Sequence, residues 1–267
     1  MDGAAITYYE PAANFLMMLL VLGVLAAVVM RARLPLWVLL GTPLMLASLA
    51  LSYRRSFWIG VVLGALLVVV LGSSPLGRRL LLPTAALVGV AIWLLSSVGF
   101  QAQTQGPLVA RVESLRPSQV EANAEDRYRF DERANVLAEL RAHPVTGLGL
   151  AVPWSSAARP LPVEHDDGRD YVHSVVLWYW LKLGLIGLAG YLGLMVAAAM
   201  LAWRVWRGGP DVLMRAAGLA SLATLLALAV IETTASFSGV DLRFTIVLGM
   251  LLGLLAVLGR TPDGESV

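Results

Sequence analysis

Seven stretches of this chain are apolar enough, for long enough, to cross a bilayer, and that constrains the fold more than any other feature. A hydrocarbon core about 30 Å thick needs roughly 20 apolar residues at about 1.5 Å rise each. The stretches are 14–30, 34–51, 56–71, 80–100, 172–203, 213–235 and 244–259. Lipid offers no hydrogen bonds to the backbone, so segments of this length are read as helices. The expected fold class is an all-α polytopic membrane protein with about seven transmembrane helices. With 58% hydrophobic and 14% charged residues and a mean hydropathy of +0.75, the chain is far from a soluble domain, where about 25% are charged. Disorder and a disulfide-stapled scaffold are excluded, the latter because cysteine is absent. The first stretch does not read as a cleavable signal peptide. Asp2 and Glu10 precede it, there is no basic leader, and no small-residue cleavage pattern follows.

Orientation follows from the short loops. Arg31, Arg33, Arg78, Arg79, Arg204, Arg207, Arg215 and Arg260 fall on one side of a seven-span path, and only Arg54, Arg55 and Arg243 on the other. The richer side is expected in the cytoplasm. The chain then divides into transmembrane helices 1–4 (1–100), a large extracytoplasmic, periplasmic loop (101–171) and transmembrane helices 5–7 (172–267). The net charge of +2, carried by nineteen arginines and one lysine, suggests GC-rich coding and no nucleic-acid partner.

The outward segment holds eight arginines and eleven acidic residues in 71 positions, and loops that long are usually functional or disordered. From 126 to 143 it reads as a helix, with Phe130, Ala134, Leu137 and Leu140 at helical spacing and Arg129 and Arg133 on a shared flank. Pro144, Gly147 and Gly149 end it. Residues 153–168 are rich in Pro, Ser and Asp and read as a mobile flap.

Three constellations fall on the outer side. The first is Ser52-Tyr53-Arg54-Arg55-Ser56-Phe57-Trp58-Ile59-Gly60, where two arginines open a helix. Their planar forks suit phosphate, although interfacial anchoring is an equally ordinary role. The second runs from Asp126-Arg127-Tyr128-Arg129-Phe130-Asp131-Glu132-Arg133 to Pro144-Val145-Thr146-Gly147-Leu148-Gly149. Its charges suit either a solvated face with pairs such as Glu125–Arg129 or an anion site, and its glycines would let backbone amides approach an anion. The third is Asp170-Tyr171-Val172-His173-Ser174, where a histidine beside a carboxylate can accept a proton near neutral pH. His165-Asp166-Asp167 reads as an acidic flap, and no metal site is expected. Gly184, Gly187, Gly190 and Gly193 suggest close helix packing. Lys182 is expected to snorkel, and Glu232 to lie near solvent.

Taken together these stretches resemble the O-antigen ligase and polymerase family of polytopic bacterial glycosyltransferases. The resemblance rests on Ser52 to Arg55 opening a helix, and on Arg129 about fifteen residues before Pro144-x-x-Gly147-x-Gly149. It is completed by Asp170-x-x-His173-Ser174 ahead of Gly184-x-x-Gly187. It covers roughly 34–258 and looks like the C-terminal part of the family's ten to twelve spans. Ser174 stands where Asn is frequent.

What the resemblance implies is transfer of a glycan from an undecaprenyl-diphosphate carrier to an acceptor sugar, on the outer side of the bacterial cytoplasmic (inner) membrane. The acceptor would be a lipid-linked glycan or a lipid A core. It further implies His173 as base oriented by Asp170, Arg55 and Arg129 on the diphosphate with Arg133 and Arg54 as second choices, and no metal or cofactor. The missing N-terminal helices would either take part of the lipid-binding groove with them or be supplied by a separate polypeptide. The alternatives are a non-catalytic or partner-dependent component of an envelope polysaccharide complex, a transport component, and another membrane transferase using His173.

Overall fold

A computed structural model describes residues 10–52, 55–72, 124–160 and 169–260, the side chains of Ala50, Leu51, Arg55 and 124–126 excepted. Among them are eight helices and no strands: α1 (Pro11–Val29), α2 (Leu36–Leu51), α3 (Arg55–Gly72), α4 (Ala124–Ala142), α5 (Val175–Gly208), α6 (Val212–Ile231), the single turn α7 (Phe237–Val240) and α8 (Leu242–Leu258). The helices α1, α5 and α6 are long and apolar enough to cross a membrane, whereas α2, α3 and α8 are apolar but shorter. These six coincide with six of the seven expected spans. The expected span at 80–100 lies outside the described residues, as do 101–123 and 161–168 of the expected outer loop.

Helix α6 is the hub. It is buried along most of its length against α1, α3, α5 and α8, because one face carries Ala216, Ala220, Ala223 and Ala227 and lets neighbours come close. Gly60 and Gly64 of α3 meet that face. A β-carbon on Gly60 would lie 3.2 Å from the Ala227 carbonyl, and one on Gly64 3.1 Å from that of Ala223. The small-residue helix interface is therefore here and not on the glycine series of α5, where added β-carbons on Gly190 and Gly193 would meet nothing within 4 Å.

A second, smaller core at one end of the bundle packs Val136 and Leu140 of α4 with Trp154, Val172, Trp178 and Leu181. Helix α5 joins the two cores and is broken between them at Gly184, whose φ is +68°. Thirty-four unbroken residues would run ~51 Å, well beyond a bilayer core, whereas 185–208 alone run ~36 Å. The break orphans the Leu185 N–H and the Leu181 carbonyl, and the Pro144–Gly149 turn satisfies both. Leu185 N donates to Val145 O (3.0 Å) and Leu148 N to Leu181 O (2.6 Å), while Trp180 Nε1 donates to Pro144 O (2.6 Å). Gly147, at φ +65°, has to be glycine because a β-carbon there would lie 2.7 Å from the Trp180 carbonyl. Gly147 of this turn thus lets two backbones meet.

Candidate active site

The chain from Tyr171 to Val175 is tied down at every residue. Tyr171 O accepts from Trp154 Nε1 (3.0 Å), and Tyr171 Oη accepts from Ser236 N (3.0 Å). Val172 O accepts from Ser236 Oγ. His173 N donates to Glu132 Oε1 (2.6 Å), and Val175 N donates to the Glu232 carbonyl (2.9 Å) as α5 begins. Glu232 is fully buried rather than near solvent, its carboxylate accepting from Tyr191 Oη and from Ser238 N (2.9 Å). It pins the end of α6 to the start of α5 and to α7.

His173 is the focus of this arrangement. Its Nδ1 lies 2.5 Å from Glu132 Oε2, with the Glu132 side chain 2% exposed and that of His173 29%. An ionised carboxylate only accepts, so Nδ1 carries the proton, and in the neutral imidazole Nε2 keeps its lone pair. Tyr171 and Tyr128 meet the imidazole edge-on at 4.7 and 5.8 Å between centroids. Burial, with the Glu132 carboxylate second, pushes the Tyr128 phenol up to about 12.

The carboxylate against His173 is therefore Glu132 and not Asp170. The Asp170 side chain is 70% exposed and turned toward Lys182, 3.7 Å away. Three residues before a histidine in extended chain do not present to the same ring, whereas α4 lays Glu132 directly across it. Lys182 does not snorkel. It is buried and donates to Val152 O (2.5 Å), fastening the 150s to α5. The face of α4 is also rotated from expectation: Glu132, Asn135, Val136 and Leu140 are buried and Phe130 is 61% exposed.

Arg129, Phe130, Glu132 and Arg133 from α4, Val172 to Ser174 and Leu177, and Thr233 and Thr234 after α6 line one cavity of about 240 Å³. Arg129 and Arg133 are brought together there with His173, as the sequence suggested. Arg54 and the Arg55 side chain lie outside the described residues. Arg55 opens α3 at this same end, where Phe57 meets Phe237 (6.1 Å) and Gly60 meets Ile231. Ser52 Oγ and Trp58 Nε1 both donate to the Leu49 carbonyl (2.6 and 3.0 Å), closing the α2–α3 corner. An apolar groove of about 530 Å³ starts at Val175 and Val176, next to the cavity, and runs between α3, α5 and α6 to Trp203.

The start of the expected flap is anchored to α4. Asn135 accepts from Arg159 N (2.7 Å) and donates to Arg159 O (2.8 Å), Asp131 pairs with the Arg159 guanidinium (2.9 Å), and Glu139 accepts from Ser155 N (3.1 Å). Residues 161–168 lie outside the described set. Among the described residues no cluster of three metal-ligating side chains occurs.

Apolar helices able to cross a bilayer, with a histidine–carboxylate pair and two arginines in one cavity at their end, define a helical membrane protein with a polar site suited to group transfer. The O-antigen ligase family model matches residues 40–192, more than half of the chain, and the chain belongs to that family. No curated protein and no solved structure matches it.

Proposed function

We propose that this protein transfers a glycan from an undecaprenyl-diphosphate carrier to a sugar hydroxyl on the outer side of the cytoplasmic membrane. The observation that carries the reading is a single cavity lined by Arg129, Arg133 and His173, beside an apolar groove. The arginines suit a diphosphate and the groove suits part of a polyprenyl tail, the rest lying in the bilayer. Arg55, the first residue of α3, is proposed as a further diphosphate ligand, with Arg54 as a second choice.

In the reaction, His173 Nε2 takes the proton from the acceptor hydroxyl as its oxygen bonds to the anomeric carbon of the donor sugar. The bond from that carbon to the diphosphate oxygen breaks, and its electron pair leaves with undecaprenyl diphosphate. The arginines stabilise the charge that develops on the leaving group, and Glu132 stabilises the imidazolium. The arginines at the opposite ends of the helices, Arg31, Arg33, Arg204, Arg207, Arg215 and Arg260, support placing those ends in the cytoplasm.

Replacing His173 and Arg129 singly with alanine tests the reading. Each variant is expected to abolish polysaccharide output at parental protein level. Full output from both would overturn the assignment.

A further inference from the structure

The cavity has two chemically different walls. Arg129 and Arg133 donate only. On the part of the lining that follows α6, Thr233 Oγ1 donates to the Val230 carbonyl (2.7 Å) and Thr234 Oγ1 to that of Ile231 (2.9 Å). Each hydroxyl has committed its one proton to the last turn of α6, so only oxygen lone pairs remain to be offered to the cavity. Glu132 is 2% exposed and each of its oxygens already meets a donor of His173, so the exposed acceptors of this cavity are those of the threonines. A phosphate, all acceptor, gains nothing from the threonine wall. A ligand rich in hydroxyl donors does.

Phe130 lines the same cavity and is 61% exposed, on a helix whose neighbouring positions are charged. Exposure alone would be ordinary, but this ring lines the cavity that holds His173 and the two threonines. A pyranose ring has an apolar face of axial C–H groups that packs on an aromatic ring, with hydroxyls around its rim.

We infer that Phe130, Thr233 and Thr234 form a glycan subsite that holds one sugar ring, its C–H face on Phe130 and its hydroxyls on the threonines, against His173. The inference rests on the function proposed above and adds to it which residues read the sugar. The ring is that of the acceptor or of the donor's first sugar, which share this chemistry.

The test uses the full chain in detergent and two probes. The donor arm compares retention of undecaprenyl diphosphate with that of undecaprenyl diphosphate bearing one N-acetylglucosamine, by native mass spectrometry. The acceptor arm measures saturation transfer to a panel of methyl hexosides. The variants are Phe130→Ala, Thr233→Val and Thr234→Val, with Phe130→Tyr and Thr233→Ser as conservative controls. One lost hydrogen bond should weaken sugar binding about 2- to 10-fold, Phe130→Ala should weaken it at least as much, and the controls should restore it. Sugar-free undecaprenyl diphosphate should be retained as by the parent. Loss in the donor arm assigns the subsite to the donor's sugar, and loss in the acceptor arm to the acceptor. Unchanged sugar binding in all three variants overturns the inference, as does an equal loss of the sugar-free diphosphate. If the parent retains no diphosphate the functional reading fails by itself, and the hexoside arm still decides the subsite.

Discussion

Glu132→Gln separates a role in setting the protonation of His173 from a role in holding the fold. The carboxylate meets two donors at once, the His173 backbone N–H at 2.6 Å and Nδ1–H at 2.5 Å. An isosteric amide accepts from only one of them. If its oxygen stays on the backbone N–H, its NH₂ faces Nδ1, and the imidazole must move its proton to Nε2, which removes the lone pair that would accept the sugar's proton. If the amide turns round, a buried backbone N–H loses its acceptor at a cost of about 1–3 kcal/mol. The first outcome forfeits general-base catalysis, typically about 10²- to 10⁴-fold, or about 2.7–5.5 kcal/mol of barrier. Turnover in isolated membranes at matched protein level should therefore fall at least about 100-fold. Retention of undecaprenyl diphosphate by the purified protein should not change. Glu132→Asp, which keeps the charge but draws it back by one methylene, should recover part of the rate. A Glu132→Gln protein working within threefold of the parent would refute the pairing as a feature of the chemistry, and loss of diphosphate retention would make Glu132 structural.

Three further outcomes follow from the geometry. Gly184→Ala and Gly147→Ala place a β-carbon on backbone carbonyls at positive φ, adding about 1–3 kcal/mol of strain before any clash. Gly190→Ala and Gly193→Ala should be neutral or stabilising by up to about 1 kcal/mol, so equal melting temperatures in detergent across the four would sink the interlock. Asn135→Ala removes both bonds to the Arg159 backbone and should speed proteolytic cleavage near 155–160, whereas parental cleavage rates would mean other contacts hold the segment. Tyr128, with its phenol raised to about 12, binds a proton in the folded state that the unfolded chain has lost above pH 10. Stability should thus decline as pH rises from 10 toward 12, and Tyr128→Phe should lessen that decline; an identical alkaline profile for the variant would contradict it.

Much of this was legible in the chain. Apolar runs set six helices where they were expected, and the Arg129, Arg133 and His173 motifs converge on one cavity. Glu132 was hidden because its partner is 41 residues away and it sits in a run of alternating charge that suits a solvated face. One signal was present: Glu132, Val136 and Leu140 recur every four residues, so the acid stands on the stripe that packs against Trp154 and Leu181. The α5 glycines misled for a different reason. Spacing by threes suggests a packing face, but the value of Gly184 lies in a left-handed backbone that only the approach of the 144–149 turn reveals.

The most direct test of the central claim is native mass spectrometry of the purified chain with undecaprenyl diphosphate and undecaprenol, for the parent, Arg129→Ala and His173→Ala. The account predicts that the parent retains the diphosphate over the alcohol, that Arg129→Ala loses the preference, and that His173→Ala keeps it while making no polysaccharide. A parent that binds both lipids alike, or an Arg129→Ala variant that still selects the diphosphate, would contradict it.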